Sequence, residues 1–276
     1  AARGRSANPV TQLSVVPGVL YLVPTPLDFG CLTDGEIPAP IAQCLPGDTL
    51  AIAAQLTHWI SENAKSTRAF LKRVEALNGL AAPLQAQHIA ELPRQAHKKG
   101  DHSPATSSDA EARTLLAPAR LGHDMGLVCE AGMPAIADPG SSIVRAAHAM
   151  NLEVRPLAGP MSLMLALAAS GLNGQDFAFV GYVPQDPAQR SQRLRELEAV
   201  ALKTGQTQIL IETPYRNAAL LQALLQNLHP HTRLAVSCGL SLPQQSTRSA
   251  LLSEWKNRGL GTQLPLNLPA VFLIGR

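Results

Sequence analysis

Five short apolar segments of this sequence end in the same way, at a turn that contains proline or glycine. Apolar runs of this length are typical of buried strands, and proline and glycine impose turns. The turns are Val23-Pro24-Thr25-Pro26, Glu130-Ala131-Gly132-Met133-Pro134, Leu157-Ala158-Gly159-Pro160, Val183-Pro184 and Glu212-Thr213-Pro214. Parallel strands end at one edge of a sheet, which is where open α/β sheets bind small ligands. We therefore expect the five turns to face one crevice.

The longest of these connections is predicted over residues 125–142. An apolar strand over 127–129 leads into a turn and then into Asp138-Pro139-Gly140-Ser141-Ser142. Aspartate followed by proline is typical of a helix start, so the sequence predicts Asp138 as the N-cap of a helix over 141–150. The free N–H groups of this helix would face the same crevice, where they favour anionic groups.

Periodicity and breaker residues predict an α/β fold of two small α/β domains with a ligand cleft between them. A break at 173–176 divides an N-terminal domain, 18–173, from a C-terminal domain, 174–276. Residues 1–17 are expected to form a disordered leader, and residues 93–108 a mobile surface loop. Further strands are predicted over 19–23, 49–53, 153–157, 177–183, 207–212, 234–238 and 270–274. Further helices are predicted over 61–77, 109–121, 161–172, 187–202 and 217–228.

Composition narrows the class of protein. Apolar residues make up 46% of the chain and aromatic residues only 4%, which favours a helix-rich α/β enzyme over a β-sandwich. The net charge of +3 allows a nucleic-acid partner without requiring one. The four cysteines are far apart and lack zinc-like spacing, so we expect a reduced, cytoplasmic protein. We expect no signal peptide and no membrane span.

Six motifs, in this order and spacing, carry a family resemblance. They are Val23-Pro24-Thr25-Pro26, Glu130-Ala131-Gly132-Met133-Pro134 with Ala137-Asp138-Pro139-Gly140, Leu157-Ala158-Gly159-Pro160, Ala169-Ser170-Gly171-Leu172, Gly181-Tyr182-Val183-Pro184 and Glu212-Thr213-Pro214-Tyr215-Arg216. The chain resembles the tetrapyrrole-methylase superfamily of S-adenosylmethionine-dependent methyltransferases. Within it, the most similar branch is that of the bacterial small-subunit ribosomal RNA 2′-O-methyltransferases. The likeness covers about residues 18–276 and is strongest over 126–216.

The resemblance implies a homodimer of two-domain subunits that bind S-adenosylmethionine in the cleft between the domains, without a metal. It also implies which residues contact this methyl donor. By matching positions these are Pro24, Thr25, Pro26, Glu130, Ala131, Gly132, Met133, Ala137, Asp138, Gly159, Pro160, Met161, Ser162, Gly181, Tyr182, Thr213 and Pro214.

The sequence departs from the ribosomal branch on the substrate side. The branch has a Gly-Asn pair after its first Pro-Thr-Pro, whereas this chain has Leu27-Asp28-Phe29-Gly30. An Ala-Glu-Asp-Thr-Arg segment of the branch matches residues 61–65 here, so that Asn63 replaces an acidic residue and Lys65 an arginine. The branch's His-Asn-Glu segment has no clear counterpart over 91–102. The donor site is therefore better supported than the acceptor.

Methyl transfer to a ribose hydroxyl requires alignment of the reactants and a group that takes up the proton of the hydroxyl. Glu62 and Lys65 are the candidate catalytic residues, and His58 is a weaker one. Arg68 and Lys72 would contact phosphates if the acceptor is RNA. Each has an alternative interpretation: Glu62 could favour a helix start, and the basic residues could form a solvated helix face.

Two other functions stay open at this point. A methyltransferase could act on a small-molecule acceptor, tetrapyrrole-like or other. The chain could also bind S-adenosylmethionine without catalysing any transfer. Other catalytic classes are disfavoured, since the sequence has no G-x-S-x-G nucleophile motif and its histidine pairs lack further metal ligands.

Overall fold

The structure is a computed structural model that describes residues 15–33, 35–93 and 106–276, with residues 106–108 described by their backbone alone. Residues 1–14 of the predicted leader and 94–105 of the predicted loop lie outside the described residues. Among the helices that are described, none is long and apolar enough to cross a membrane.

The first half of the chain forms a parallel sheet of strands in the order β3-β2-β4-β1-β5. The strands are β1 (Leu20–Val23), β2 (His58–Ser61), β3 (His88–Glu91), β4 (Met125–Val128) and β5 (Val154–Pro156). Apolar side chains cover both faces. Val23, Trp59 and Leu71 belong to the core on one face, and Leu20 and Leu127 to the core on the other. Burial on both faces explains why these strands have short apolar runs without alternation.

The helices of this half are α1 (Gly47–Gln55), α2 (Ala64–Asn78), α3 (Thr106–Leu115), α4 (Ala117–Arg120) and α5 (Ser141–Ala149). The strand predicted over 49–53 is wrong, because these residues lie in α1. Leu50, Ala53 and Ala54 are buried at three- and four-residue steps, which is a helical spacing. Alanine also favours helices. The second strand lies further on, at β2, where Trp59 and Ile60 are buried.

The order of the strands creates a switch point at the centre of the first sheet. The connection that leaves β1 passes through α1 to β2, on one side of β1. The connection that leaves β4 passes through α5 to β5, on the opposite side. Because β1 and β4 are neighbours, a crevice is expected between their carboxyl ends.

The second half forms a mixed sheet in the order β6-β7-β10-β8-β9. The strands are β6 (Phe177–Gly181), β7 (Thr207–Glu212), β8 (Arg233–Cys238), β9 (Ser246–Leu251) and β10 (Ala270–Gly275). β6 and β7 are parallel, whereas β10 is antiparallel to β7 and β8. The turns after β6 and β7 therefore lie at one edge, as expected, although this sheet as a whole is not mostly parallel.

The helices of the second half are α6 (Ser162–Ser170), α7 (Pro187–Thr204), α8 (Asn217–Asn227) and α9 (Leu252–Asn257). Leu163 and Ala166 of α6 pack against Ile209 and Leu273 of the second sheet. The opposite face of this sheet is covered by α7 and α8. Because α6 precedes the predicted boundary at 173 and 174 but packs with the second sheet, we propose that the two domains join before α6.

Candidate active site

Two loops are joined at the switch point of the first sheet: the β1 loop (24–26) and the β4 loop (130–138). The backbone N–H of Thr25 donates to the carbonyl of Gly132 at 3.0 Å, and the N–H of Gly132 donates to the carbonyl of Thr25, also at 3.0 Å. The Thr25 hydroxyl donates to the carbonyl of Cys129 at 3.3 Å, and Thr25 is only 3% exposed. These bonds fix the carboxyl ends of β1 and β4 relative to each other.

The β5 loop (158–161) packs against both of these loops. A Cβ atom added to Gly159 would lie 2.2 Å from Cγ of Pro24, so only glycine allows this approach. A Cβ on Gly132 would lie 3.5 Å from the carbonyl oxygen of Pro160. The Thr49 hydroxyl of α1 donates to the carbonyl of Ala158 at 2.7 Å and holds the β5 loop from the other side. Three of the predicted donor loops therefore form one rigid unit.

The β4 loop has a strained backbone. Ala135 and Ala137 have φ angles of 65° and 62°, which side-chain-bearing residues adopt at a cost of about 1–3 kcal/mol each. Strain of this kind persists only where the surrounding structure imposes it, and it is concentrated at functional sites. Here it positions the next residue, Asp138.

The prediction that Asp138 caps a helix is wrong. Helix α5 begins at Ser141, and its N-cap is Gly140, with φ 137° and no side-chain cap. Gly140 is required there because a Cβ would lie 3.1 Å from the Leu127 side chain and 3.2 Å from that of Ala135. The N-cap of α5 thus lies two residues after Asp138.

Asp138 lies in an acidic and poorly solvated environment. Burial and the nearby charge of Glu62 are the main causes that raise the pKa of its carboxyl to about 7; a hydrogen bond with Cys129 lowers it in part, and the charge of Glu130 adds to the rise. Burial also raises the pKa of the Cys129 thiol well above its usual range. Asp138 is therefore close to half-protonated at neutral pH, which is an uncommon state for an aspartate.

Glu62, a predicted catalytic residue, lies directly after β2 and beside the β4 loop. Its Oε2 accepts a hydrogen bond from the backbone N–H of Glu130 at 3.3 Å. The carboxyl groups of Glu62 and Glu130 both act on the pKa of Asp138. The structure thus brings Glu62 together with the predicted donor residues Glu130 and Asp138.

The turn after β7 contains Thr213 and Pro214, which the sequence predicts as donor contacts of the second half. Nη2 and Nε of Arg216 lie 2.8 Å and 3.0 Å from Oε1 of Glu212, and the same oxygen accepts from the N–H of Thr213 at 2.8 Å. Burial is the main reason that the pKa of Tyr182 is raised, and the charges of Asp138 and Glu212 raise it further. Since Asp138 and Glu212 belong to different halves, Tyr182 lies where the two halves face each other.

A cavity of about 240 Å³ opens beside these loops. Its lining includes Thr25, Pro26, Ser66, Arg73, Cys129 and Glu130. A second cavity of about 480 Å³ lies between the halves, lined by parts of residues 26–44, by Arg73 and by residues 241–244. Ser241 there has a φ of 65°. The 241–244 loop has no motif of its own that would predict its place at this cavity.

Arg73 of α2 does not lie on the exposed face of this helix, and its side chain is only 22% exposed. Its Nη1 donates to Asp28 Oδ1 at 3.0 Å and its Nη2 donates to the carbonyl of Ala39 at 2.9 Å. Arg73 follows Phe70 by three residues and therefore shares the inward face of the helix. The three-residue spacing from Phe70 is therefore a sequence signal for the inward position of Arg73.

The other basic residues of α2 do lie on its exposed face. Lys65, Arg68 and Lys72 line a groove of about 540 Å³ together with Leu84 and Gln85. None of the three forms an ion pair with another described residue. Lys65 faces this groove, whereas Glu62 bonds to the β4 loop, so the two predicted catalytic residues have different surroundings.

The departure at Asn63 has a structural explanation. Asn63 is the N-cap of α2, and its side chain accepts from the N–H groups of Lys65 at 2.9 Å and Ser66 at 3.3 Å. Glu91 accepts from the N–H of Ala64 at 2.7 Å. His58 lies at the opposite end of β2, where its ring stacks on those of His88 and His123 at 4.6 Å and 4.3 Å. His58 therefore lies away from the carboxyl edge, and it is not placed to act as a base there.

Within the described part of the chain, no group of three or more histidine, cysteine, aspartate or glutamate side chains is arranged to hold a metal ion.

Comparison with known proteins identifies the family. The sequence model of the tetrapyrrole (corrin/porphyrin) methylases matches residues 64–256. Three relatives bear the name "Ribosomal RNA small subunit methyltransferase I". The protein of Xylella fastidiosa is 33% identical over 181 residues, covering 66% of this chain and 55% of the relative. That of Micromonospora olivasterospora is 30% identical over 211 residues, covering 75% and 55%. That of Mesorhizobium japonicum is 30% identical over 233 residues, covering 84% and 67%.

The chain thus spans little more than half the length of the first two of these relatives. Solved structures share its fold. Uroporphyrin-III C-methyltransferase from Thermus thermophilus, in complex with S-adenyl homocysteine, matches with a TM-score of 0.51 and 17% identity, covering 94% of this chain and 98% of that one. A putative cobalamin-synthesis-related protein from Corynebacterium diphtheriae matches with a TM-score of 0.52 and 13% identity, covering 94% and 98%. The two-sheet α/β architecture is thus that of tetrapyrrole methylase structures.

Proposed function

The chain belongs to the tetrapyrrole (corrin/porphyrin) methylases, and from this premise we propose that it is an S-adenosylmethionine-dependent methyltransferase acting on a ribose 2′-hydroxyl of ribosomal RNA. The family match over residues 64–256 carries the proposal. The names of relatives at 30–33% identity support RNA as the acceptor. We further propose a homodimeric, cytoplasmic enzyme.

The joined loops at the switch point support a donor site. The β1, β4 and β5 loops approach one another through backbone groups, with Gly132 and Gly159 at the contacts. Such a pocket offers N–H and C=O groups to the polar ends of a nucleoside and small side chains to its apolar parts. We propose that Tyr182, Thr213 and Pro214 contribute to this pocket from the second half.

When bound, the donor supplies an activated methyl group. The chain's own task is then to hold the acceptor hydroxyl in line with that group, which contributes up to about 7–11 kcal/mol toward lowering the barrier. Glu62 is the proposed proton acceptor, because its carboxyl lies at the β4 loop. A positioned base of this kind typically contributes about 10²–10⁴-fold.

The groove beside α2 supports an RNA acceptor. Lys65, Arg68 and Lys72 lie at helical spacing on one exposed stripe, over about 10 Å of helix. Cations that form no ion pair with other described residues suit phosphate groups, which position a nucleic acid without reading its sequence. We propose that this stripe orients the RNA so that one ribose reaches the cleft.

The test is transfer of labelled methyl groups from S-adenosylmethionine to small-subunit ribosomal RNA isolated from a strain that lacks the gene. Digestion and mass spectrometry then locate the modified nucleotide. We expect label on one ribose, and no label on RNA from the parent strain, in which the position is already methylated. Label on a small molecule would favour a metabolite methyltransferase. Donor binding without any transfer would favour a non-catalytic binding protein. Either result would overturn the proposal.

A further inference from the structure

The two cavities beside the β1 loop share one wall. The donor-side cavity, of about 240 Å³, is lined by Thr25 and Glu130 of the predicted donor loops. The inter-half cavity, of about 480 Å³, extends to the 241–244 loop. Four residues line both cavities, namely Pro26, Asp28, Leu32 and Arg73. The ion pair between Asp28 and Arg73 therefore lies at the boundary between the two cavities.

This ion pair offers hydrogen-bonding groups to both cavities. Nη1 of Arg73 lies 2.9 Å from Oδ2 and 3.0 Å from Oδ1 of Asp28, and Nη2 donates to the carbonyl of Ala39 at 2.9 Å. The side chains of Arg73 and Asp28 are only 22% and 17% exposed. A guanidinium has five N–H donors and a carboxylate about four acceptor sites. Both groups therefore keep hydrogen-bonding capacity beyond their contacts with the described residues.

The donor-side cavity also adjoins the cationic groove of α2. Ala69 of this helix lines the cavity and the groove alike. Ser66 and Arg73 lie on the cavity side of the helix, and Arg68 and Lys72 lie on the groove side. The groove, the donor-side cavity and the inter-half cavity therefore form one continuous series. An RNA strand whose phosphates lie in the groove is thus next to the cavities.

We propose that the two cavities together bind a single nucleotide that is rotated out of the folded RNA, and that the Asp28–Arg73 pair hydrogen-bonds the edge of its base. This inference rests on the proposed function and specifies how the acceptor reaches the donor. Such an arrangement makes Asp28 and Arg73 specificity-determining residues, because they contact the base and not the reacting ribose.

The shape and lining of the cavities support a single unstacked nucleotide. Thr25 and Cys129 line the donor-side cavity and are only 3% and 4% exposed, so this cavity is a recess and not an open surface. A ribose stacked within an RNA helix cannot enter such a recess, whereas a nucleotide rotated out of the stack can. Pro26 and Leu32 supply apolar surface beside the ion pair. Apolar walls with a few convergent polar groups are typical of ligand pockets.

The experiment measures transfer of labelled methyl groups from S-adenosylmethionine to four transcripts of small-subunit ribosomal RNA. The transcripts carry each of the four bases in turn at the methylated position. We expect the wild-type chain to prefer one base. Asp28→Asn should lower kcat/KM for that transcript about 10–100-fold, which is the range for one hydrogen bond to a charged group. It should affect the other three transcripts much less, so that the preference narrows.

A second variant and a control complete the test. Arg73→Gln should narrow the preference in the same way, and it keeps the test decisive if Asp28→Asn does not fold. Glu153→Gln is the matched control, because Glu153 pairs with Arg155 at 2.6 Å on the exposed surface, and it should change kcat/KM for none of the transcripts. Calorimetric titration with S-adenosylhomocysteine checks that each variant keeps its donor site.

The outcomes separate this inference from the proposed function. If the wild-type chain methylates none of the transcripts, the proposed function itself fails. If it methylates all four equally, no base is recognised and the inference is refuted. If Asp28→Asn and Arg73→Gln lower kcat/KM by one factor for all four transcripts, or leave it unchanged, the inference is also refuted. The ion pair then only ties residues 28–39 to α2.

Discussion

Replacing Asp138 by asparagine should stabilise the folded protein at neutral and alkaline pH. Burial and the nearby charge of Glu62 raise the pKa of this carboxyl from 3.8 to about 7. A carboxyl whose pKa is higher in the folded state stabilises the fold when protonated. That contribution is complete below the pKa of the unfolded chain and is lost as pH rises toward 7. Asparagine resembles the protonated acid, keeps an oxygen to accept from Cys129, and does not titrate.

The magnitude follows from the width of this pH window. At about 1.4 kcal/mol per pKa unit, a shift from 3.8 to about 7 changes the free energy of unfolding by about 4 kcal/mol over the whole titration. About 3 kcal/mol of this falls between pH 5 and pH 8, since pH 5 already lies above the unfolded pKa. Relaxation of the loop and entry of water would reduce the value, so we expect about 2–3 kcal/mol.

The assay is urea unfolding of the wild-type chain and of Asp138→Asn at several values of pH. The variant's free energy of unfolding, minus that of the wild type, should grow by about 2–3 kcal/mol from pH 5 to pH 8. Taking the difference removes the contribution of every carboxyl that is not coupled to Asp138. Asp109→Asn, at an exposed pair, should give a difference that does not depend on pH. If the difference in the free energy of unfolding between Asp138→Asn and the wild type does not change with pH, the raised pKa of Asp138 is refuted.

Three further substitutions test the loops, the groove and the cap. Gly159→Ala places a Cβ within 2.2 Å of Pro24, so it should lower the free energy of unfolding by about 1–3 kcal/mol and weaken donor binding. The control Gly174→Ala, whose Cβ would have nothing within 4 Å, should change neither quantity. Replacing Arg68 and Lys72 together by glutamate should weaken RNA binding in filter assays and leave donor binding unchanged. The slope of the logarithm of the RNA affinity against the logarithm of the salt concentration should fall by about one per lost phosphate contact. Equal weakening by Arg258→Glu would contradict a specific role of the groove. Asn63→Ala should destabilise the chain by about 1 kcal/mol, and Asn63→Asp should not; equal effects would exclude the capping role.

The strand ends could be predicted from the sequence because their causes are local. Proline and glycine stop a strand wherever they occur, so the turns after β1, β4, β5, β6 and β7 follow from the residues themselves. Parallel strands then bring the ends to one edge. That reasoning identified Thr25, Gly132 and Gly159 as neighbours, and the structure joins them. Their contacts with a donor remain predictions.

Other features depend on tertiary contacts that a local pattern does not contain. Asp138 precedes proline and resembles a cap, but the N-cap of α5 is Gly140, which packs closely against Leu127 two residues later. The left-handed backbone of Ala135 and Ala137 disagrees with the preference of alanine and is imposed by the surrounding loops. The 241–244 loop joins a cavity with residues about 200 positions earlier in the chain, and no spacing rule reports such a contact.

The central claim is that loops of both halves hold the methyl donor at the switch point of the first sheet. A crystal structure of the full chain with S-adenosylhomocysteine tests it most directly. Ligand density between Thr25, Gly132, Gly159 and Thr213 is the predicted result. Density at another place on the chain, with this cleft empty, would contradict the account.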